Sequence, residues 1–324
     1  MIRLESSIQW EKHFLNKITC GDALKQLKQI PDKSIDLVIA DPPYFKVANQ
    51  KWDYLWRTKE EYIEWSLNWI KEISRILRYG GTLYLFGYFR VLSHIIPRLE
   101  EIEIELKQQI IINKGMQAVS GRATKKYKIF PNVTEIILMM IRDNKQFLKP
   151  FLKNRQKEKG FSAKEINERL GVKSNGGGMW SIYAGKNVCE QFPTKEKWEK
   201  LQKVLDFNLE YEKVSQTYNT IMGITNVWDD IDFYKEKKYH PTQKPLKLLR
   251  RLIKTSSNKG DIILDPFMGS GATAIASKSL GRQFIGFEIS EEYCDIANKR
   301  LDSMIINYAE DSGSQKNKGL GKFL

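Results

Sequence analysis

A chain of 324 residues, 41% hydrophobic and 28% charged, can build one large domain, or a catalytic domain with a smaller inserted lobe, around a sizeable core. Lysine and arginine outnumber aspartate and glutamate by 53 to 39, and the resulting net charge of +14 points to a polyanionic partner, either nucleic acid or an anionic membrane surface. The isolated cysteines Cys20, Cys189 and Cys294 argue against a disulfide framework or a structural zinc site, and the longest apolar run, Ile136 to Ile141, is too short to span a bilayer. With a polar N-terminus that lacks a signal-peptide core, these features predict a cytoplasmic protein with no metal site.

Residues 17–145 alternate apolar strand-like runs with amphipathic helices, the rhythm of a parallel α/β sheet. Ile35–Ala40 reads as a buried strand ending at Asp41 and two prolines. A helix follows, with Thr58 and Glu61 as a capping box and Tyr62, Trp65, Trp69, Ile73, Ile76 and Leu77 at helical spacing. Gly80 and Gly81 are expected to stop it, with Thr82–Phe86 as the next strand. Leu106–Ile112 and Thr134–Ile141 read as two further strands, separated by a basic stretch from Lys114 to Lys128.

From about Asp143 to Lys238 the alternation disappears and lysines become dense, so residues 146–237 read as a separate, mainly helical lobe. Within it a serine-capped helix at Ser162–Leu170, a glycine-rich turn, Met179–Ala184 and a helix at Thr194–Leu205 suggest a helix-turn-helix over 161–205. The α/β rhythm returns at His240. Pro245 opens a helix, followed by strand Ile262–Leu264, helix Ala272–Leu280, strand Phe284–Phe287 and a helix from Glu291 to about Ile305. The Ser/Gly/Asn/Lys-rich tail, 310–324, is expected to be disordered.

Two motifs carry chemistry. Asp41-Pro42-Pro43-Tyr44 stands at the carboxyl end of a predicted strand. Asp41 and the Pro42 carbonyl can each accept an N–H bond from an exocyclic amine, proline holds that carbonyl in place, and Tyr44 offers a face for a base. A base in a duplex would have to be flipped out to reach such a pocket, at a cost of about a few kcal/mol. The second motif is Asp265-Pro266-Phe267-Met268-Gly269-Ser270-Gly271, after a strand and opening a helix. Gly269, Gly271 and Ala274 also satisfy the loose dinucleotide pattern, with Glu288 at the end of the next strand, so by itself this motif leaves a nicotinamide cofactor open.

Together, DPPY and DPFMGSG resemble the catalytic and S-adenosylmethionine motifs of the amino-methylating DNA methyltransferases. His240-Pro241-Thr242-Gln243-Lys244-Pro245 and Gly21-Asp22-Ala23 match further segments of that family. The catalytic motif precedes the cofactor motif, the order of the β class. The resemblance covers residues 15–145 and 238–305 as the catalytic domain. It implies a Rossmann-like α/β methyltransferase sheet, circularly permuted so that the chain starts at the sheet's third strand. Asp41 and Asp265 should then end neighbouring strands, and Leu301 should lie near Lys17.

By the same resemblance, Asp41 with Pro42 and Pro43 would hold the target amine and Tyr44 would stack on the base. Asp265, Phe267, Gly269 and Gly271 would line the methionine half of S-adenosylmethionine, Glu288 would bind the ribose hydroxyls and Asp22 the adenine amine. Thr242 and Lys244 would hold the cofactor carboxylate. The inserted lobe would read the target sequence, while Arg122, Lys125, Lys126 and Lys128, leaving a strand beside the cleft, are candidates for phosphate contact. Asp rather than Ser at position 41 favours N6 of adenine over N4 of cytosine, and no cysteine follows a proline as the nucleophile of C5 methylation would. The implied partners are DNA and a cognate restriction endonuclease, with no membrane, for a monomer or homodimer.

Overall fold

A computed structural model describes residues 9–46, 55–119, 128–172, 178–185 and 191–314. In chain order the elements are β1 (Lys17–Cys20), α1 (Ala23–Leu27), β2 (Ile35–Ala40), α2 (Lys59–Ile76), β3 (Leu77–Gly87), α3 (Phe89–Ile95), β4 (Ile104–Asn113), β5 (Thr134–Arg142), α4 (Lys145–Lys159), α5 (Ala163–Arg169), α6 (Gly178–Ala184), α7 (Lys195–Leu205), β6 (Val227–Trp228), α8 (Leu246–Ser256), β7 (Ile262–Asp265), α9 (Ala272–Ser279), β8 (Gln283–Glu288) and α10 (Glu291–Ser314).

The eight strands form one sheet in the order β1-β8-β7-β2-β3-β5-β4-β6, in which β5 alone runs against its neighbours. β2 pairs in parallel with β7 through Leu37 opposite Ile263 and Val38 opposite Leu264. From that pair the chain winds outward in both directions, β2 to β3 on one side and β7 to β8 on the other. Their carboxyl ends therefore flank a topological switch point, the place where open α/β sheets leave a crevice.

Helices cover both faces, so the central strands are buried almost throughout. Along β2, Val38 and Ala40 face the core under α2, with Leu67, Ile70 and Ile73. Leu37 and Ile39 face the opposite core, with Leu248, Leu249, Leu252 and Ile253 of α8. β1 closes on β8 with Lys17 opposite Ile285, and Leu301 of α10 packs in one cluster with Ile18 and Phe284. The last helix thus returns to the first strand, and the circular permutation is a property of the packed molecule.

The start of α2 differs in detail from a capping box. The Thr58 hydroxyl accepts the Glu61 N–H at 3.1 Å, but the Glu61 carboxylate takes the N–H of Arg57 rather than that of Thr58. Nor do Gly80 and Gly81 end the helix: Leu77 already has extended geometry (φ −63°, ψ 137°) and starts β3. The glycines lie in a bulge, where β3 advances from Leu77 to Thr82 while β2 advances from Ile35 to Leu37. Gly80 has φ +73°, and a Cβ there would stand 2.6 Å from the backbone of Ser215, so close approach of two chains explains the residue.

Helices α4 to α7 gather around their own core of Leu148, Leu152, Ile166, Trp180, Trp198 and Leu201. They are tied back to the sheet where the Arg78 guanidinium donates to Ser215 O at 2.7 Å. The final helix continues to Ser314, into the tail expected to be disordered, and the rest of that tail, 315–324, lies outside the described residues. No helix among the described residues is long and apolar enough to cross a membrane.

Candidate active site

The carboxyl ends of β2 and β7 open into a single cleft of about 440 Å³, lined by Asp41 to Tyr44 from one strand end and Asp265 to Ser270 from the other. Gly21, Asp22, Thr242, Lys244 and Glu288 also line it, so the predicted catalytic and cofactor residues share one cavity, except Gly271, which was expected to line it and does not. Of the four basic residues expected at the DNA, Arg122, Lys125 and Lys126 lie outside the described residues, and Lys128 is exposed.

On the β7 side, the buried Asp265 accepts the Phe267 N–H at 2.9 Å and the Thr273 hydroxyl at 2.6 Å, which fixes the turn into α9. Burial raises its carboxyl to about 7 against those two bonds, with Asp41 and Glu288 adding to the rise. The turn's two glycines serve different ends. Gly271 (φ +84°) would press a Cβ to 2.9 Å from that of Ala297, so it is there for the packing of α9 on α10. Gly269 (φ +53°) would meet nothing nearer than His240 at 3.9 Å and leaves the cleft open.

Glu288 ends β8, and each of its oxygens accepts one backbone N–H, from Gly269 at 2.8 Å and from Ser290 at 2.9 Å. Asp22 caps α1 by accepting the Lys25 N–H at 2.9 Å. Phe267 packs against Trp65 and Trp69, ring centroids 5.7 and 5.1 Å away, as an aromatic wall. The strap that precedes α8 is pinned over the turn: Ser270 donates to Gln243 at 2.9 Å, Arg300 donates to the Ser270 carbonyl, and the His240 ring lies 4.3 Å from that of Tyr293. Thr242, in this strap, is exposed and bonded to the His240 ring.

On the β2 side the arrangement departs from the sequence expectation at Lys244. Its ammonium, expected beside the cofactor carboxylate, sits 2.8 Å from Asp41 and 3.4 Å from Glu135. A cation this deeply buried needs counter-charges, and the DPPY aspartate is the nearest one. Burial by itself would lower the lysine, but the two carboxylates outweigh it and raise it above the ordinary lysine range. Asp41 is raised by burial, opposed chiefly by Lys244. The Tyr44 hydroxyl lies 3.0 Å from Asp41 and 2.9 Å from Glu135, so its single proton is shared between two acceptors. Tyr62 of α2 donates to the Pro43 carbonyl at 2.9 Å and fixes the proline loop.

Glu135 was not singled out by the sequence. It is buried, and Lys114 holds its other oxygen at 2.9 Å. Burial pushes it up, yet Lys244 and Lys114 together bring it down to about 2. The one available signal was a lone acid at the second position of a strand, Thr134–Arg142, that is apolar from Ile136 to Ile141.

A family model described as DNA methylase matches residues 35–299. The DNA adenine methyltransferase YhdJ of Escherichia coli (strain K12) is 31% identical over 312 residues, spanning 93% of this chain and 87% of the relative. The Type II methyltransferase M.HpaI of Haemophilus parainfluenzae is 29% identical over 305 residues, 89% of this chain and 74% of its own length. Among solved structures, the M1.HpyAVI–SAM complex superposes with a TM-score of 0.52 at 22% identity over 88% of this chain and 98% of that one. The cytosine-N4-specific PvuII DNA methyltransferase superposes at 0.53 with 15% identity over 87% and 84% of the two chains. At those identities the two structures share the fold. By the span of the family match and its identity to a full-length relative, the chain belongs to the DNA methylase family.

Proposed function

We propose that the protein transfers a methyl group from S-adenosylmethionine to the N6 amino group of adenine in DNA, after the base is flipped from the duplex. The observation that carries this reading is the opening of Asp41 and the turn at 265–270 into one cleft. The cofactor half of that cleft fits the ligand chemically. Glu288 keeps a second lone pair on each oxygen, able to accept from a pair of ribose hydroxyls, and the Asp22 carboxyl, which lines the same cleft, can accept from an exocyclic amine. The carboxyls of Asp22, Asp265 and Glu288 suit a cationic sulfonium, whereas the pyrophosphate of a nicotinamide dinucleotide would meet Asp265. When bound, S-adenosylmethionine supplies the electrophilic methyl group.

The chain's own residues supply orientation and a place for a proton. Asp41 and the Pro42 carbonyl accept the two N–H bonds of the amine, which directs its lone pair into the cleft. Tyr44 presents its ring to the base, and Tyr62 keeps the loop from moving. Once alkylated, the amine must lose a proton, and the raised affinity of Asp41 for protons makes it the acceptor. Holding both reactants at contact distance can contribute roughly 7–11 kcal/mol of the barrier.

Helices α4 to α7 of the 146–237 segment are assigned to target recognition, whereas β6 and the residues after it, counted with the lobe in the sequence, pair with β4 and pack in the core of the sheet. The 114–128 segment, with the exposed Lys128, is assigned to phosphate contact. The relative named adenine methyltransferase and the aspartate at position 41 support adenine. The likeness to a cytosine-N4 enzyme leaves N4 transfer as the second reading. A cognate endonuclease and a cytoplasmic location belong to the same reading. The test is base analysis of DNA incubated with the protein and methyl-labelled cofactor. Label in N6-methyladenine is expected, N4-methylcytosine alone would replace adenine by cytosine, and unlabelled DNA would overturn the assignment.

A further inference from the structure

The Asp41–Lys244 pair does not stand alone. Lys244 also faces Glu135, the Tyr44 hydroxyl lies within bonding distance of both carboxylates, and Lys114 neutralises the far oxygen of Glu135. Asp41, Lys244, Glu135 and the Tyr44 hydroxyl thus close a ring, and Lys114 joins it from outside at Glu135. Tyr44 also meets Tyr88 at its ring edge with centroids 5.2 Å apart, has the Lys244 cation 5.5 Å from its ring centre, and packs half-buried against the core that holds Ile39 and Phe86. Glu135 arrives from a different strand, 91 residues along the chain from Tyr44.

We propose that Glu135 is a positioning residue for methyl transfer: by accepting from Tyr44 and drawing Lys244 toward itself, it sets the plane on which the target base stacks and the share of the lysine's charge that reaches Asp41. This rests on the reading of Asp41 and Tyr44 as the amine acceptor and stacking ring. Geometry supports the first half, since a hydroxyl held at its tip by a residue of the rigid sheet cannot swing with its own loop. Charge supports the second. Asp41 is faced by Lys244 from the strap before α8, by Tyr44 on its own loop, by Tyr62 of α2, by Asp265 of β7 and by Glu135 of β5. Among these Lys244 is the cation, and it is divided between two carboxylates. Removing the Glu135 charge leaves the ammonium to Asp41 and also removes a like charge, so both effects stabilise ionised Asp41.

The experiment is Glu135→Gln, which keeps the shape and a carbonyl acceptor but not the charge. It is assayed for methylation of duplex DNA at saturating DNA and cofactor across pH, alongside cofactor affinity and thermal stability. The expected result is a kcat lowered tenfold or more, cofactor affinity within about twofold of the parent, and an acid limb of the rate profile moved to lower pH. A merely structural glutamate would not move that limb. Parental kcat with an unmoved limb, in a protein whose parent methylates adenine, would overturn the proposal. A parent that transfers no methyl to DNA would instead overturn the reading beneath it. Should Glu135→Gln not fold, Tyr44→Phe unties the same bond from the other end while keeping a ring that stacks. A lowered kcat is then expected, and parental kcat would refute the positioning role.

Discussion

Asp265 makes a prediction in which stability and function pull apart. Its carboxyl is buried behind the turn, and burial holds it at about 7. Against an ordinary aspartate at ~3.9, that difference corresponds to roughly 4 kcal/mol of destabilisation when the group is ionised in the folded protein. Below ~3.9 both folded and unfolded chains carry the proton and the cost is absent. As the pH climbs toward 7 the unfolded chain releases its proton while the folded one keeps it, so folding weakens, and above 7 the whole cost applies. Asp265→Asn removes the ionisation and keeps the shape. The amide oxygen can accept the Phe267 N–H, and its NH₂ can donate to the Thr273 hydroxyl oxygen once that hydroxyl turns. The variant should match the parent at pH 4 and exceed it by about 2–4 kcal/mol at pH 8, measured by urea unfolding at both pH values. It should also bind S-adenosylmethionine more weakly, because the cationic ligand loses a counter-charge. An Asn variant no more stable at pH 8 than at pH 4, relative to the parent, would show that the Asp265 carboxyl is not held protonated by burial.

Other residues of the cleft give outcomes of opposite sign. Lys244→Met strips Asp41 and Glu135 of their shared cation, so the acid limb of the methylation profile should move up and kcat at neutral pH should fall roughly 10²-fold. Loss of the buried partner should also lower stability by about 3 kcal/mol, read by urea unfolding. Gly271→Ala drives a Cβ against Ala297 at a left-handed position and should destabilise the fold by about 2–3 kcal/mol. Gly269→Ala, which points into open cleft, should leave stability nearer the parent but weaken cofactor binding in calorimetry. DNA affinity should drop steeply between about 50 and 200 mM salt, as lysine contacts to phosphate release counterions, and a flat titration would remove phosphate contact from the account.

Much of the catalytic sheet could be read from the chain because each signal was local. Ile35–Ala40 is apolar and bounded by Asp-Pro-Pro, Ile262–Leu264 is apolar and bounded by Asp-Pro, and the two pair side by side. The meeting of Leu301 with the first strand was implied by the family resemblance and its motif order. Local signals misled where tertiary contact decided the matter. A Gly-Gly pair after a helix looks like a stop, yet Gly80 answers to the backbone of Ser215, 135 residues away. Lys244 sits in a segment that suggests the cofactor, but a buried ammonium goes to the nearest carboxylates, and those belong to β2 and β5.

The polarity of β5 explains why Glu135 escaped the sequence reading. Ligand-facing residues in a parallel sheet are sought at the last residue of each strand or just after it, the rule that finds Asp41, Asp265 and Glu288. β5 runs the other way, with Ile136 opposite Gly87 at the end of β3, so its first residues lie at the edge where its neighbours finish. Glu135 therefore reaches the cleft from the start of a strand, and Lys114 meets it by following β4, which runs parallel to β3. Had the topology been assigned before the site, a single acid opening an antiparallel strand would have been the first place to look. The ion pairs to Lys114 and Lys244 are what that edge makes available.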